Sequence, residues 1–267
     1  MRAQMQMTET KTAALFQVEL AKTADDLRKI QRLRYDVFVA ELGGTGPHVD
    51  HAARLERDRF DDHAKHLMLR DLTRPSGQDV VGVYRLLTQA GAATAGQFYC
   101  ESEYNLSVLR SGGKRLLELG RSCLHRDYRG GPGLMHLWGA LSDYVGAHQI
   151  EVLFGVASFH GTDLDRVAAQ LSLLYHHYRA PEASRTHAIG PTAQRMDLIP
   201  RDAIDRVAAM RDMPALIKAY LRLGGMVGDG AFIDHAFNTI DVCLILPTDA
   251  VPAPRLARLA KGKLHRG

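Results

Sequence analysis

The amino-acid sequence predicts a mixed α/β (α+β) fold, in which helices flank a central sheet and further helices and strands follow at the C-terminal end. Three observations support this prediction. Leu116–Leu124 is an apolar run typical of a buried strand, the residues from Gly133 onward place apolar side chains at helical spacing, and residues 152–157 form a second short apolar run. A strand, an amphipathic helix and another strand in this order predict a sheet that is covered by the helix.

In the N-terminal part, alternation and capping signals predict one strand and one helix. Phe16–Leu20 alternates between apolar and polar residues, as a strand at a sheet edge does. Thr23 and Asp26 have the spacing of a capping box, and apolar residues then recur at helical spacing as far as Phe38. A loop over residues 43–49 is expected to follow.

The remaining elements are expected from similar patterns. In chain order they are a short helix over residues 52–60, strands over 65–71 and 80–87, a small-residue hairpin or loop over 91–97, a helix capped by Thr162 and Asp165, a loop over 180–192, a strand over 195–199, helices over 202–210 and 214–223, a glycine-rich turn over 224–230, and edge-strand material over 231–246. Residues 15–250 would then form one domain, with residues 251–267 as a basic tail.

The composition is that of an ordinary globular protein. The 267 residues are 46% hydrophobic and 24% charged, and the formal net charge of +4 favours acidic partners, although no basic-aromatic module points to nucleic acid. No apolar run reaches the length of a membrane span and the first residues do not resemble a secretory signal, so we expect a cytoplasmic protein. The cysteines Cys100, Cys123 and Cys243 are expected to be buried, reduced thiols.

The C-terminal tail differs in character from the rest of the chain. It has no acidic residue, and leucines are interleaved with its basic residues, which are Arg255, Arg258, Lys261, Lys263 and Arg266. One interpretation is a basic amphipathic segment on an anionic membrane, which would make the protein peripheral on the inner face of the cytoplasmic membrane. The other interpretation is a solvated tail without a partner.

A glycine-rich turn precedes the central helix and is a candidate phosphate site. It contains Arg129, Gly130, Gly131 and Gly133, with a proline suited to the first helical turn. Unpaired backbone N–H groups at the positive end of a helix dipole bind anions. These four residues are therefore the candidate cofactor-binding residues, although such a turn alone is weak evidence.

Two charged residues interrupt the apolar run Leu116–Leu124. Glu118 and Arg121 would be buried there, and a core tolerates such charges only when they are paired with each other or with other groups, or when they take part in the function. Residues three apart in a regular strand point to opposite faces, so both can serve one site only if the strand bulges. Gly120, which lies between them, would permit a bulge.

A group of acidic residues and histidines lies further upstream. Asp58, Asp61 and Asp62 are followed by His63 and His66. Because the predicted strand would place the two histidines on opposite faces, we expect no metal site there. Asp58 and Asp61 are instead candidate counter-charges for a cationic substrate, the alternative being a solvated acidic loop.

Beyond these local signals, the order of motifs resembles that of a known superfamily. An apolar strand with internal charges, a glycine-rich turn, a helix and a second strand is similar to the GNAT acyltransferases. The succession R-x-x-x-F (Arg34, Phe38), D-x-[YF]-D (Asp58, Asp61), an arginine at Arg85 and E-x-x-R (Glu118, Arg121) resembles the acyl-homoserine-lactone synthases. The stretches ELGRSCLHRDYRGG, LWGALSDY, GVASFHGTD and YLRLGG…GAFIDHAFNTIDV resemble more closely their relatives that make ornithine lipids.

The resemblance implies a fold and a donor. The central sheet would be splayed between its fourth and fifth strands, with a phosphopantetheine arm in the gap and its phosphate near residues 129–133. The acyl donor would be a 3-hydroxyacyl chain on acyl carrier protein, with no permanently bound cofactor. The strand bulge would turn a backbone N–H toward the thioester carbonyl.

The resemblance also implies an acceptor and roles for single residues. L-ornithine would receive the acyl group on its α-amine, in a pocket near Arg34 and Phe38. Glu118 is the candidate proton acceptor, and Arg121 or Arg85 would orient it or bind the amino-acid carboxylate. Ser158 and His160, at the end of the fifth strand, would line the acceptor pocket. A tyrosine of the following helix, Tyr175 or Tyr178, is a further candidate for protonating the leaving thiol, although such residues usually belong to the core.

Other functions are compatible with the same sequence. An acyl-homoserine-lactone synthase would use S-adenosylmethionine as acceptor, but the tryptophan that those enzymes carry shortly after R-x-x-x-F is missing, since the chain's one tryptophan is Trp138. Another amino-acid N-acyltransferase, acting on lysine or glutamine, would share the same machinery. A non-catalytic module that binds acyl thioesters is the third alternative. In such a module a buried Glu118 would have no role.

Overall fold

The computed structural model describes residues 14–46 and 49–251, so the basic tail from residue 252 onward lies outside the described residues. The strands in this part of the chain are β1 (Phe16–Leu20), β2 (Val49–Asp50), β3 (Leu55–Glu56), β4 (Lys65–Asp71), β5 (Val80–Thr88), β6 (Tyr104–Asn105), β7 (Leu116–Leu124), β8 (Val152–His160), β9 (His187–Ala188), β10 (Ala193–Gln194), β11 (Met226–Val227), β12 (Ala231–Asp234) and β13 (Thr239–Pro247). The helices are α1 (Ala24–Arg34), α2 (Gln89–Ala95), α3 (Ser107–Ser111), α4 (Gly133–Ala147), α5 (Ala168–Tyr178), α6 (Arg206–Asp212) and α7 (Ala215–Arg222).

The main sheet is mixed and is split near its centre. Its order is β1-β4-β5-β7-β8-β13-β12-β10, with β11 also paired to β13. β7 and β8 are parallel neighbours, but they pair only from Leu116 opposite Val152 to Glu118 opposite Phe154. At Gly155 the strands approach so closely that a Cβ atom would lie 2.1 Å from the carbonyl oxygen of Leu119. Beyond this point the two strands separate, as the resemblance to the GNAT fold predicted.

The two faces of the sheet carry different partners. On one face, which we call the helical face, the side chains of α4, α5, α6 and α7 form the largest apolar cluster, with Leu69, Leu119 and Leu153 among its strand residues. On the other face, the loop face, α1 packs through Ile30 and Leu33, and a second cluster gathers around Phe154. The sheet therefore divides the molecule into two separate cores.

The N-terminal helix begins as predicted and then widens. The Thr23 hydroxyl accepts the backbone N–H of Asp26, whose carboxylate accepts the backbone N–H of Thr23, which completes the capping box. After Arg34 the helix continues as a π-helical segment, Tyr35–Glu41, which carries Phe38. Such wide turns are frequent at functional sites.

Several predicted elements were wrong for local reasons. Residues 52–60 contain the hairpin strand β3 instead of a helix, because Arg54 adopts a left-handed conformation with φ of 54°. Residues 91–97 lie mostly in α2, which the Thr88 hydroxyl caps by accepting the N–H of Gly91. Residues 195–199 form no strand, because the backbone N–H groups of Leu198 and Ile199 donate to the Ser172 hydroxyl instead of to a neighbouring strand.

Two further corrections concern the C-terminal half. The helix after β8 begins at Ala168, preceded by Val167 without a side-chain cap, so Thr162 and Asp165 do not cap it. The stretch 231–246 is not one edge strand but two strands, and β13 lies inside the sheet between β8 and β12. The predicted helices over 202–210 and 214–223 are present as α6 and α7.

Two predictions from the composition are confirmed. Cys100, Cys123 and Cys243 are all free and buried. None of the helices formed by the described residues has both the length and the hydrophobicity needed to cross a bilayer.

Candidate active site

A cavity lies where β7 and β8 separate. Its volume is about 220 Å³, and residues from both faces of the sheet line it. Leu153, Tyr220 and Leu246 belong to the cluster on the helical face, whereas Phe154 and Tyr99 belong to the loop face. The cavity, which we call the cleft, therefore extends through the gap in the sheet. Its half on the helical face is mainly apolar, and its other half contains most of the charged groups.

A bulge in β7 forms one wall of the cleft. Val83 pairs with Cys123 and Arg85 with Gly120, so that Arg121 and Ser122 together stand opposite Tyr84. The predicted bulge is confirmed, but the residue with the left-handed backbone is Arg121, with φ of 52°, and not Gly120. Because this conformation is unusual for a residue with a Cβ, the contacts of the arginine side chain must hold it.

Arg121 belongs to a closed ring of alternating charges beside the cleft, which we call the charge ring. Each of its three arginines contacts two of its three carboxylates, and each carboxylate contacts two arginines. In order around the ring, the members are Arg34, Glu56, Arg121, Asp58, Arg85 and Asp61, and Asp61 returns to Arg34 at 2.7 Å. The number of positive charges equals the number of negative charges, so the ring is balanced within itself.

Burial and pairing have opposite effects on the acids of the charge ring. Burial alone would raise the pKa of Asp58, but the guanidinium groups of Arg85 and Arg121 outweigh it and hold the pKa well below its usual value. The same competition, with Arg34 as a main partner, lowers the pKa values of Glu56 and Asp61. All three acids are therefore ionised at neutral pH.

Glu118 lies in the cleft with its carboxylate held by backbone groups. Its two oxygens accept the N–H groups of Tyr99 and Cys100, each at 2.7 Å. The side chain is 3% exposed, and burial raises its pKa although the two N–H groups oppose the rise. Glu118 thus anchors the short helix Tyr99–Ser102 to β7, and it also faces the cleft.

A second group of acids lies around one end of the cleft, and we call it the acid cluster. One carboxylate oxygen each from Glu103, Asp234 and Asp241 lies within 4.8 Å of the others. Within residues 14–46 and 49–251, no basic side chain forms an ion pair with any of the three. Burial raises the pKa of Asp241 to about 6, although the nearby hydroxyls of Ser158 and Thr239 lower it in part. Burial also raises the pKa of Glu103 well above its usual value, and the neighbouring carboxylates add to the rise.

The half of the cleft on the helical face contains one polar pair in an apolar wall. The hydroxyl groups of Tyr84 and Tyr220 are 2.6 Å apart. Burial raises the pKa of Tyr84 to about 12, so both groups are neutral hydrogen-bonding hydroxyls at neutral pH. Leu153, Leu216 and Leu246 lie around them.

The structure places the predicted site residues in four separate locations, and the turn before α4 is the last of these. The cleft itself contains Phe38, Glu118, Arg121 and Ser158. The predicted acceptor residues Arg34, Asp58, Asp61 and Arg85 lie behind them in the charge ring. His160 is exposed at the end of β8 and does not line the cleft.

The predicted phosphate turn lies at the start of α4. Gly130 has a positive φ of 74°, and the space where its Cβ would lie is empty. The α4 helix begins at Gly133, which leaves the first backbone N–H groups of the helix next to the turn. Arg129 forms a two-pronged ion pair with Glu41, which fixes the turn against the π-helical segment.

Sequence reasoning missed several residues of the cleft. The missed residues are Tyr84, Tyr99, Tyr220, Asp234 and Asp241, together with Glu103, which lies beside the cleft in the acid cluster. Asp241 could have been found, because an acid in the middle of an apolar strand is the same signal that singled out Glu118 and Arg121. Tyr175 and Tyr178 do not line the cleft.

Comparison with known proteins assigns the chain to a family. A family model described as an acetyltransferase (GNAT) domain matches residues 33–139. The L-ornithine N(alpha)-acyltransferase of Rhodobacter capsulatus is 55% identical over 238 residues, which cover 88% of this chain and 91% of that protein. The chain belongs to the L-ornithine N(alpha)-acyltransferase family. The family member from Brucella abortus is 40% identical, and the match covers 88% of this chain and 85% of that protein.

Solved structures agree with the fold of this L-ornithine N(alpha)-acyltransferase family member. A CoA-dependent acyl-homoserine lactone synthase, MesI, is 13% identical with a TM-score of 0.50, and the match covers 94% of this chain and 97% of MesI. A second such synthase, BjaI with MTA, is 14% identical with the same TM-score and is matched over its whole length. At this identity the two structures show the fold alone, and they confirm the GNAT-like mixed sheet. Family membership and the GNAT domain make the chain an acyltransferase.

Proposed function

We propose that the protein transfers a 3-hydroxy fatty acyl group from acyl carrier protein to the α-amine of L-ornithine, giving lyso-ornithine lipid. The relatives at 55% and 40% identity, both L-ornithine N(alpha)-acyltransferases, support this acceptor. The observation that carries the proposal is the cleft, which joins an apolar half to an acidic half through the gap between β7 and β8. A long acyl chain and a small cationic amino acid need these two environments.

The helical face suits the acyl donor. Its apolar wall around Leu153, Leu216 and Leu246 would hold the chain, because burying each methylene group contributes about 0.8 kcal/mol. Tyr84 stands opposite the β7 bulge, and its hydroxyl and that of Tyr220 would be the hydrogen-bonding partners of a hydroxyl on the third carbon of the chain. The carrier's phosphate would lie at the turn that precedes α4, and the donor would be consumed as a substrate rather than held as a cofactor.

The loop face supplies the groups for the transfer. The α-amine of ornithine is protonated in water at pH 7, so a base must remove a proton before the amine attacks the thioester carbonyl. Glu118 is the proposed proton acceptor, directly or through water, because it faces the cleft and its pKa is raised toward neutrality. The amine then forms the amide bond, the carbon–sulfur bond breaks, and the carrier leaves as its thiol. Backbone N–H groups of the β7 bulge would stabilise the oxyanion.

Mass spectrometry of the reaction products tests this proposal. The protein is incubated with 3-hydroxyacyl-carrier protein and, in separate reactions, with ornithine, lysine, glutamine or S-adenosylmethionine. We expect an N-acylated ornithine that forms only when the carrier thioester is present. A product in another reaction but not with ornithine would replace the acceptor, and binding of the carrier without any product would favour a non-catalytic module.

Contact of the basic tail with an anionic membrane stays a prediction. Co-sedimentation with anionic vesicles of the full chain and of a variant truncated after Ala253 would test it.

A further inference from the structure

We propose that the acid cluster, together with Thr239, binds the side-chain ammonium group of the amino-acid acceptor and so selects an α,ω-diamino acid over a neutral amino acid. This inference rests on the proposed function, because it states which part of the cleft binds the end of the acceptor's side chain. The three carboxylates concerned are those of Glu103, Asp234 and Asp241.

The acid cluster lacks the positive charge that its burial requires. Glu103 is 3% exposed and Asp241 is 4% exposed, and burying a carboxylate without a partner is costly. Arg121 is the nearest arginine of the charge ring, but it already pairs with Glu56 and Asp58. No side chain of the described residues supplies this positive charge through an ion pair, whereas a cationic ligand in the cleft would supply it.

Polar atoms without partners lie at the same place. Oδ1 of Asp241 and Oε2 of Glu103 have no hydrogen-bond partner within residues 14–46 and 49–251. The hydroxyl of Thr239, which lies beside the Asp241 carboxylate, also makes no hydrogen bond in this part of the chain, although the residue is only 8% exposed. Both Thr239 and Asp241 line the cleft. Buried oxygens without partners on two residues of the cleft, and on Glu103 beside them, indicate a missing hydrogen-bond donor.

The surrounding backbone holds the cluster in place. The Tyr104 hydroxyl, next to Glu103 in the chain, donates to the backbone carbonyl of Asp241 at 2.8 Å. Oδ1 of Asp234 accepts the N–H groups of Ala236 and Phe237, at 2.7 and 3.0 Å. Backbone N–H groups thus hold the Asp234 carboxylate, and the Tyr104 hydroxyl ties the strand that carries Asp241 to the segment that carries Glu103. Such preorganisation reduces the entropic cost of binding.

The geometry favours an ammonium group over a metal ion. An ammonium group has three N–H donors and no acceptor, and the cluster offers one oxygen from each of three carboxylates. A Ca²⁺ ion takes six to eight oxygen ligands, whereas the described residues offer these three carboxylates and the Thr239 hydroxyl. The rings of Phe38 and Phe237, 6.2 Å apart, line the same cleft and suit the methylene chain of a diamino acid.

Substrate discrimination by variants of the cluster tests the inference. Asp234→Asn and Asp241→Asn are compared with the wild type on ornithine and on norvaline, which has the same carbon chain without the terminal amine. We expect the KM for ornithine to rise at least about tenfold in each variant, because a charged hydrogen bond is lost. The preference for ornithine over norvaline, as a ratio of kcat/KM, should fall by the same factor, while the KM for the acyl donor stays unchanged.

A matched control uses an acid of the same region outside the cleft. Asp229→Asn removes a half-buried carboxylate that pairs with Arg179, and it should leave the ornithine preference unchanged. Thermal melting of every variant checks that the fold is kept. An unchanged preference for ornithine in both Asp234→Asn and Asp241→Asn would overturn the inference and leave the proposed function intact.

Two further measurements separate the remaining outcomes. If the wild type acylates no amino acid, the proposed function fails; calorimetric binding of ornithine, with norvaline as the comparison, then tests the cluster alone. Binding of both amino acids with equal affinity would overturn the inference in that case. Activity that is lost with EDTA and restored by Mn²⁺ in the wild type, with loss of Mn²⁺ binding in Asp241→Asn, would assign the cluster to a metal and also overturn it.

Discussion

Two groups of buried charge lie on the loop face of one sheet, and they are organised in opposite ways. The charge ring contains three acids and three arginines, and pairing lowers the pKa values of all its acids. The acid cluster contains three acids without an arginine, and burial raises the pKa values of Glu103 and Asp241. The fold supplies its own counter-charges in the first group and leaves them to a ligand in the second.

Arg121 connects the two groups. Its guanidinium pairs with Glu56 and Asp58 on one side, and it lies over the rings of Tyr99 and Phe237, at 4.6 and 4.7 Å from their centres, on the other. It is the ring member that reaches the cleft. The ring therefore positions one cationic group at the bulge, whereas the cluster presents negative charge further along the same cavity.

The largest expected effect comes from opening the charge ring. Arg34→Met removes a guanidinium that is 0% exposed and leaves Glu56 and Asp61 with one arginine each. We expect the free energy of unfolding to fall by about 3 to 5 kcal/mol, because uncompensated charge stays buried. Urea denaturation at pH 7 measures this loss.

Two comparisons sharpen that prediction. The double variant Arg34→Met/Asp61→Asn restores equal numbers of positive and negative charges, and it should recover more than half of the loss. Arg211→Met, which breaks the exposed pair of Arg211 with Asp212, should leave the denaturation midpoint unchanged. A loss in Arg34→Met as small as that of the surface variant would show that the ring does not stabilise the fold.

A smaller effect, on turnover, is expected at Glu118, the buried acid that belongs to neither group. Glu118→Gln should lower kcat at least about a hundredfold while the KM for the donor is retained, because the proton acceptor is lost. The pH profile distinguishes this role from a structural one. In the wild type, activity should fall on acidification as Glu118 takes up a proton, and this acidic limb should disappear in the variant. A variant that keeps the limb, whatever its turnover, would remove Glu118 from the role.

The smallest effect is expected from neutralising Asp241 of the acid cluster. This substitution should raise the free energy of unfolding, whereas opening the charge ring should lower it. The pKa of Asp241 is raised from 3.8 to about 6, so the folded state holds the proton more tightly than the unfolded state does. Wild-type stability is therefore lost as the pH rises from about 4 through 6. Asp241→Asn avoids this loss and should increase the free energy of unfolding at pH 7 by about 2 kcal/mol, although ornithine binds more weakly.

Denaturation at two pH values checks this sign. The gain in Asp241→Asn should be full at pH 7 and fall to about a third at pH 4.5, where the folded wild type is already protonated but the unfolded chain, with a carboxyl pKa of 3.8, still loses most of its proton. A variant that is less stable than the wild type at pH 7 would contradict the prediction and would indicate that Asp241 has a counter-charge in the free protein.

The strands and helices with regular periodicity could be predicted from the sequence. Leu116–Leu124 has the predicted bounds, and the bulge at Arg121 followed from two charges three residues apart in a buried strand. The hairpin at β3 could not be predicted, because it depends on the left-handed conformation of Arg54, and arginine has no preference for that conformation. The central position of β13 depends on a pairing with β8 that is distant in the sequence.

Only part of the site could be predicted, because the sequence does not show which distant residues contact each other. The motifs identified every member of the charge ring except Glu56, but not that Asp58 and Asp61 pair with the arginines of the same motifs. Pairing is a property of the folded arrangement, and a sequence shows only that the charges are present. Glu103 and Asp234 lie in unremarkable stretches, and only the sheet brings them beside Asp241.

The split between β7 and β8 also determines how a product could leave. A molecule made in the cleft would have its hydrocarbon tail on the helical face and its polar head on the loop face. The hydrogen-bonded pairs from Leu116 to Glu118 close one end of the slit, and the strands are apart at the other. Release would then be a sideways movement of an amphiphile out of the open end. A bilayer that takes up the product would have to lie at that end.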